Sequence, residues 1–183
     1  MTLFLIGLFG FLGLHLFSAL RSRAPGRDLR TRWDKGRYMG LYSLLSLGFF
    51  AMIVIGYGHM PDGPPVWSGP PLARTLSVPL NTLALILVAA AYMPVGHLKR
   101  AVHHPMMIGV ALWAASHLWV GGDLAKVMLV GGFGSYAAVS LAAAFRRGER
   151  VEKMPSLKGD AMAVAVGAAV AASMLYTGHG GYA

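Results

Sequence analysis

The chain contains no cysteine. Disulfides, Cys-ligated zinc, iron–sulfur clusters, a thiol nucleophile and the C-x-x-C-H motif for covalent haem attachment are therefore all excluded. Charge is scarce as well. Only 13% of the 183 residues are charged, and just seven are acidic. Those seven are Asp28, Asp34, Asp62, Asp123, Glu149, Glu152 and Asp160. All fall between apolar runs or at their ends, so no carboxylate pair is available inside a run for acid–base work. A glycine loop ending in lysine, which would cradle phosphate, is also absent.

What the chain does have is apolar sequence, 56% of its residues, gathered into long runs. About 20 consecutive apolar residues cross the hydrocarbon core as a helix. Inside lipid, only helices and closed barrels satisfy their own backbone. The runs here do not alternate with period two, which argues against a barrel. They predict an all-α, polytopic transmembrane bundle of about six helices in a single domain over residues 1–183. The predicted helices cover residues 2–20, 38–57, 72–94, 106–120, 124–145 and 160–177. The fourth is short for a membrane crossing. The stretch from Gly58 to Pro71, GHMPDGPPVWSGPP, reads as an irregular loop. Asp123 and Asp160 read as N-caps of the fifth and sixth helices.

The formal net charge of +9 suggests nucleic acid, but the placement of the basic residues argues otherwise. Of the 16 Lys and Arg residues, 14 lie in the first, third and fifth loops. Six crossings put those three loops on one side. The positive-inside rule makes that side cytoplasmic and leaves both termini outside. Arg21 and Arg23 follow the first apolar run rather than precede it, so this run reads as a retained helix and not a signal peptide. The partner implied is the lipid bilayer.

Histidine is the informative residue. His15 and His117 fall inside apolar runs, where a polar ring is costly without a partner and marks a functional candidate. Gly109, Trp113 and His117 are spaced by four and are expected to share a helix face, with Gly109 leaving room beside it. Neutral imidazole is a good iron ligand, and helical bundles build cofactor sites from facing helices. Two intramembrane histidines without buried carboxylates suggest a non-covalent haem b held by both. Depth opposes the simple form of that idea. His15 is about five residues, and His117 about twelve, from the cytoplasmic ends of their helices, roughly a 10 Å difference at 1.5 Å per residue. Axial nitrogens on one iron are only about 4 Å apart, from iron–nitrogen bonds near 2 Å. His104 with His15, or His59 with His117, are the alternative pairs. His97 and His103 read as members of a basic interfacial loop, and His179 as part of a glycine-rich tail. Arg100, Arg37 or Arg74 could pair with haem propionates. Asn81 and Thr82 read as interhelical hydrogen-bonding groups.

Three stretches carry a family resemblance: GLHLFSALRSR around His15, GRYMGLYSLLSL from Gly36 to Leu47, and HPMMIGVALWAASHLWVGGDLAKVMLVGGFGSYA from His104 to Ala137. Through them nearly the whole chain resembles the NnrU family of bacterial membrane proteins. The family usually has Arg where this chain has His103, and Ala where it has Ser116. The resemblance implies a multi-pass protein of the bacterial inner membrane associated with denitrification and nitric-oxide metabolism. As a redox or gas-linked component, it would work beside a membrane reductase or a lipophilic small molecule. The family includes the haem b-dependent ζ-carotene isomerase of plants and cyanobacteria, a polyene cis–trans isomerase. Its axial histidines correspond to His15 and His117. That enzyme also has a cysteine three residues before the second histidine, where this chain has Ala114, so its cysteine-linked redox switch does not carry over. The resemblance leaves two other roles open: a polyene isomerase, or a haem-free assembly factor for a reductase.

Overall fold

The computed structural model describes residues 1–24 and 27–177. Its elements run in the order α1 (Thr2–Leu20), α2 (Leu29–Arg32), α3 (Lys35–Gly58), β1 (Trp67–Ser68), α4 (Pro71–Tyr92), α5 (His97–Val102), α6 (Pro105–Val120), β2 (Gly121–Gly122), α7 (Leu124–Arg146) and α8 (Leu157–Thr177). Five of these helices are long and apolar enough to cross a membrane, and α6 is a shorter apolar helix of the same kind. The chain is an all-α, multi-pass bundle, as its apolar runs require.

Local chemistry sets the helix ends. Pro71 and Pro105 occupy the first turns of α4 and α6, where a missing N–H costs nothing. Asp34 accepts from the Arg37 N–H at 3.0 Å, so α3 begins three residues earlier than its apolar run. Asp123 caps α7 as expected, accepting from the Lys126 N–H at 2.8 Å. Asp160 does not cap its own helix, because α8 already starts at Leu157. Its carboxylate instead accepts from the His97 and Leu98 N–H groups at 2.9 and 3.0 Å, capping the neighbouring α5. Gly96 and Gly159 bring the two backbones close enough for this.

The proline-rich connection before α4 is also more ordered than its composition implies. β1 pairs antiparallel with β2, and the Trp67 indole N–H donates to the Leu118 carbonyl at 2.8 Å. Gly121 has φ +92°, and a Cβ there would strike the Trp67 carbonyl, so the ladder depends on glycine at this point. The pairing bears on α6, whose 16 residues span only about 24 Å of a roughly 30 Å core. At its far end the ladder continues the path. At its start, His103 (φ 59°) turns the chain out of α5.

The helices pack as a row in the order α3, α1, α7, α6, α4, α8. A glycine sits at every seam. Gly7 meets Ile53 between α1 and α3, Gly132 meets Leu12 between α7 and α1, and Gly134 meets Ala114 between α7 and α6. Gly109 meets Ala84 between α6 and α4, and Gly167 meets Ile86 between α8 and α4. The outermost helix α3 turns apolar residues outward, with Leu44 and Leu47 about two-thirds exposed (68% and 66%).

The three basic connections lie together on one side of the row. Arg23 and Arg147 both pair with Glu149, and the Arg147 Nη1 donates to the Ala19 carbonyl at 2.9 Å. The Ser156 N–H donates to the Val95 carbonyl at 2.9 Å. Partial burial pushes the Glu149 carboxyl up, but the Arg147 hydrogen bond and the charges of Arg23, Arg147 and His104 outweigh it and hold its pKa below the ordinary value. Of the polar residues within α4, Asn81 does bond across helices, its Oδ1 accepting from the buried Ser116 hydroxyl at 2.8 Å. Thr82 instead donates to the Val78 carbonyl of its own helix at 2.9 Å.

Two glycine substitutions separate seam packing from helix propensity. At Gly7 a Cβ would fall 2.7 Å from the Ile53 backbone nitrogen, whereas at Gly13 nothing lies within 4 Å. Thermal unfolding in detergent should show Gly7→Ala destabilised by about 1–3 kcal/mol, and Gly13→Ala unchanged or slightly more stable. Equal effects from the two would contradict the assigned seam.

Candidate functional site

His15 lies on α1, between α3 and α7 in the row, and hydroxyl-bearing residues of all three helices gather around it. Its Nδ1 lies 2.8 Å from the Phe11 carbonyl one turn back. A carbonyl can only accept, so Nδ1 carries the proton, and the neutral ring has its lone pair on Nε2. The ring stacks on Phe11 at 3.9 Å. Tyr42 from α3 approaches at 5.5 Å, and Tyr136 from α7 meets it edge-on at 5.6 Å. Ser18 faces the Tyr42 hydroxyl. Ser140 faces the Tyr136 hydroxyl. From Tyr42 the aromatic contacts run on to Tyr38 at 6.3 Å and then to the Arg21 guanidinium, 5.6 Å from the Tyr38 ring. Arg21 is almost fully buried and paired with Asp28. Buried polar groups in lipid are costly unless they bond or bind something, and this half of the bundle collects them.

His117 is built in the same local way. Its Nδ1 lies 2.9 Å from the Trp113 carbonyl, so Nε2 again carries the lone pair of the neutral ring. Its position is different. The Trp113 ring lies between His117, at 4.9 Å, and Phe133 of α7, at 6.1 Å. On its other side Phe133 meets Phe11 at 5.4 Å. A continuous line of rings therefore joins the two histidines, with Phe133 at its centre. From there the line diverges. Tyr136, the neighbour of His15, is three residues along α7 towards the basic side, and His117 is four residues along α6 towards the opposite side. At 1.5 Å per residue the Cα atoms of the two histidines differ by about 10 Å in depth, while each ring folds back one turn towards that line of rings.

The alternative pairs do not meet either. The His104 ring packs edge-on against Phe145 at 5.4 Å, nine residues along α7 beyond Tyr136. Its Nε2 is buried and unpartnered among the described residues, and it lies near Glu149 rather than His15. His59 is the exposed C-cap of α3, separated from α6 by α1 and α7 in the row. The remaining candidates also scatter. Gly109 does not open space beside His117, because the Ala84 carbonyl and Val88 of α4 take that room. Trp113 does flank His117. Arg100 lies in α5 on the basic side, with its guanidinium 3.6 Å from the Met154 sulfur. Arg37 lines a surface cavity of about 480 Å³ with Arg32 and Trp33. Arg74 lies near Lys126 on the far side. His97 pairs with Asp160 at 2.8 Å, and His103 Nδ1 accepts from the Val151 N–H at 3.3 Å. His179 lies outside the described residues.

Sequence reasoning singled out His15 but missed the residues around it. Tyr42, Tyr136, Ser18 and Ser140 were legible as a signal only in retrospect. Tyr38 and Tyr42, like Tyr136 and Ser140, are spaced by four on one helix face, and Ser18 follows His15 by one turn.

The sequence pattern of a protein family described as NnrU protein matches residues 3–182. Neither a curated protein nor a solved structure matches the chain. The haem b that the resemblance implies can be tested against these residues. Imidazoles anchored through Nδ1–H with the lone pair on Nε2 have the donor chemistry of an axial ligand. His15 and His117 are the residues that would offer such an Nε2 to it.

The tautomer is directly measurable. In cofactor-free protein labelled with ¹⁵N-histidine, the signals of His15 and His117 should show a protonated Nδ1 and an unprotonated Nε2. A protonated Nε2 at His15 would remove the ligand assignment.

Proposed function

Because the chain belongs to the NnrU family, whose pattern covers residues 3–182, we propose that it is a haem b-binding multi-pass protein of the bacterial inner membrane. On this reading it serves nitrogen-oxide metabolism as a redox or gas-linked component. The observation that supports the reading best is His15. It is an intramembrane imidazole with Nδ1 fixed by a backbone carbonyl, and two tyrosines from neighbouring helices flank it. Haem, when bound, supplies reversible one-electron chemistry and affinity for small gases.

The rest of the proposal concerns what the chain's own groups do. The Phe11 carbonyl orients the His15 ring and keeps the proton on Nδ1. Phe11 and Phe133 exclude water on one flank. Tyr42 and Tyr136 offer hydroxyls on the others. Arg21 provides a buried positive charge one ring beyond, already shared with Asp28. The clustering of basic connections on one side supports placing that side in the cytoplasm. The isomerase reading finds no support at the position of the missing cysteine. Ala114 is buried at the α6–α7 seam, and a Cβ at Gly134 would lie 3.0 Å from the Ala114 Cβ.

The absorption spectrum of the purified protein, oxidised and reduced, tests this directly. A b-type spectrum is expected, and it should be lost when both His15 and His117 are replaced by Leu. A colourless preparation that takes up no added haem would contradict the proposal and favour an assembly factor. A spectrum that survives the double substitution would contradict the ligand choice.

A further inference from the structure

We propose that the elbow between α2 and α3 binds one anionic phospholipid. Arg32 and Arg37 hold the phosphate of its headgroup, and an acyl chain lies along the outer face of α3. This site is independent of haem.

Three observations carry this. The first is charge left without a partner. Arg32, Trp33, Asp34, Arg37 and Leu41 line one surface cavity of about 480 Å³, within the roughly 300–1,000 Å³ of small-molecule sites. Elsewhere on the basic side, Arg21, Arg23 and Arg147 are taken up by Asp28 and Glu149. Arg32 and Arg37 make no ion pair among the described residues. The carboxylate in the cavity, Asp34, is engaged as the cap of α3, its Oδ1 accepting from the Arg37 N–H at 3.0 Å. Two guanidinium groups against one carboxylate leave the cavity net positive, and guanidinium is the group that matches phosphate oxygens with paired hydrogen bonds.

The second is level. Trp33 is exposed beside the two arginines, and indole rings gather at the boundary between membrane and water. The third is a path for the chain. Helix α3 ends the row and packs along α1. Arg37, Leu41, Leu44, Leu45 and Gly48 follow one another up a single face of it. The three leucines are exposed, and a Cβ at Gly40 or Gly48 would meet nothing within 4 Å. Gly48 stands about 16 Å along the helix from Arg37 at 1.5 Å per residue, close to the ~15 Å depth of one leaflet, half of a ~30 Å core. A free phosphate would use the arginines and leave this apolar face idle. A second copy of the chain on the same face would set arginine against arginine. A phospholipid with net negative charge satisfies both parts.

Native mass spectrometry of the delipidated full chain tests this, with phosphatidylglycerol and phosphatidylcholine of the same acyl chains as probes. One phosphatidylglycerol per chain should bind at least tenfold more tightly than phosphatidylcholine. Arg32→Gln combined with Arg37→Gln should weaken it at least tenfold. Arg146→Gln combined with Arg150→Gln removes the same charge from another basic connection and should leave binding within twofold. In lipid-free detergent the wild type and the Arg32 and Arg37 double variant should unfold at the same temperature, and phosphatidylglycerol should raise it for the wild type alone. Equal binding of the two lipids, or equal weakening by the two double substitutions, would overturn the site in favour of general attraction to the basic side. A lower unfolding temperature of the variant without lipid would assign the arginines to the fold and overturn it too. Displacement of the lipid by millimolar inorganic phosphate, or a lipid-free dimer that Leu44→Gln separates, would give the surface to another occupant and overturn it as well.

Discussion

Helices in lipid gain nothing from hiding apolar surface from one another, since the surrounding chains are equally apolar. What holds this bundle together is close approach, and close approach requires that a side chain be missing. Every seam in the row α3, α1, α7, α6, α4, α8 is built over a glycine. Gly132 and Gly134, two residues apart on α7, face α1 and α6 respectively. They make α7 the spine to which both histidine-bearing helices are fixed. The depth of His15 and of His117 follows from that registration, not from any property of the imidazoles.

With the registration fixed, the polar groups sort by depth. The basic connections, with Glu149 shared by Arg23 and Arg147, close one face. The opposite face is closed by backbone, through β1–β2 and the Gly63 N–H bonded to Asp123. Between them lie the two histidines, with different neighbours, and the Asn81–Ser116 pair bonded across α4 and α6. Around His15 the neighbours carry hydroxyls, while the ring contacts of His117 pass through indole and phenyl groups. Polar side chains in lipid are retained where they serve a pathway or a site.

Much of this was legible beforehand. The six helices followed from run length, and α1 matched its predicted bounds because Leu20 is followed directly by Arg21. Asp123 was read correctly as a cap because it stands beside the helix it caps. Asp160 was misread for the converse reason: its acceptor oxygens serve α5, 62 to 63 residues away, through a backbone contact made possible by Gly96 and Gly159. The strand at Trp67 was hidden because its partner is a pair of glycines with no strand propensity of their own. The different heights of the two histidines along their helices were visible from counting residues. The tyrosines were not, because four of the six apolar runs carry tyrosine and nothing distinguishes them until the order of the helices in the row is known.

Gly132 and Gly134 fix α1 and α6 on α7, and with them the placement of both histidines. Pulsed electron paramagnetic resonance on the ferric, ¹⁵N-histidine-labelled protein detects the imidazole nitrogens bound to iron. Coordinated imidazole that is lost on substitution of His15 is the result the haem reading predicts. Iron with no coordinated imidazole, or a signal unchanged on substitution of His15, would contradict it.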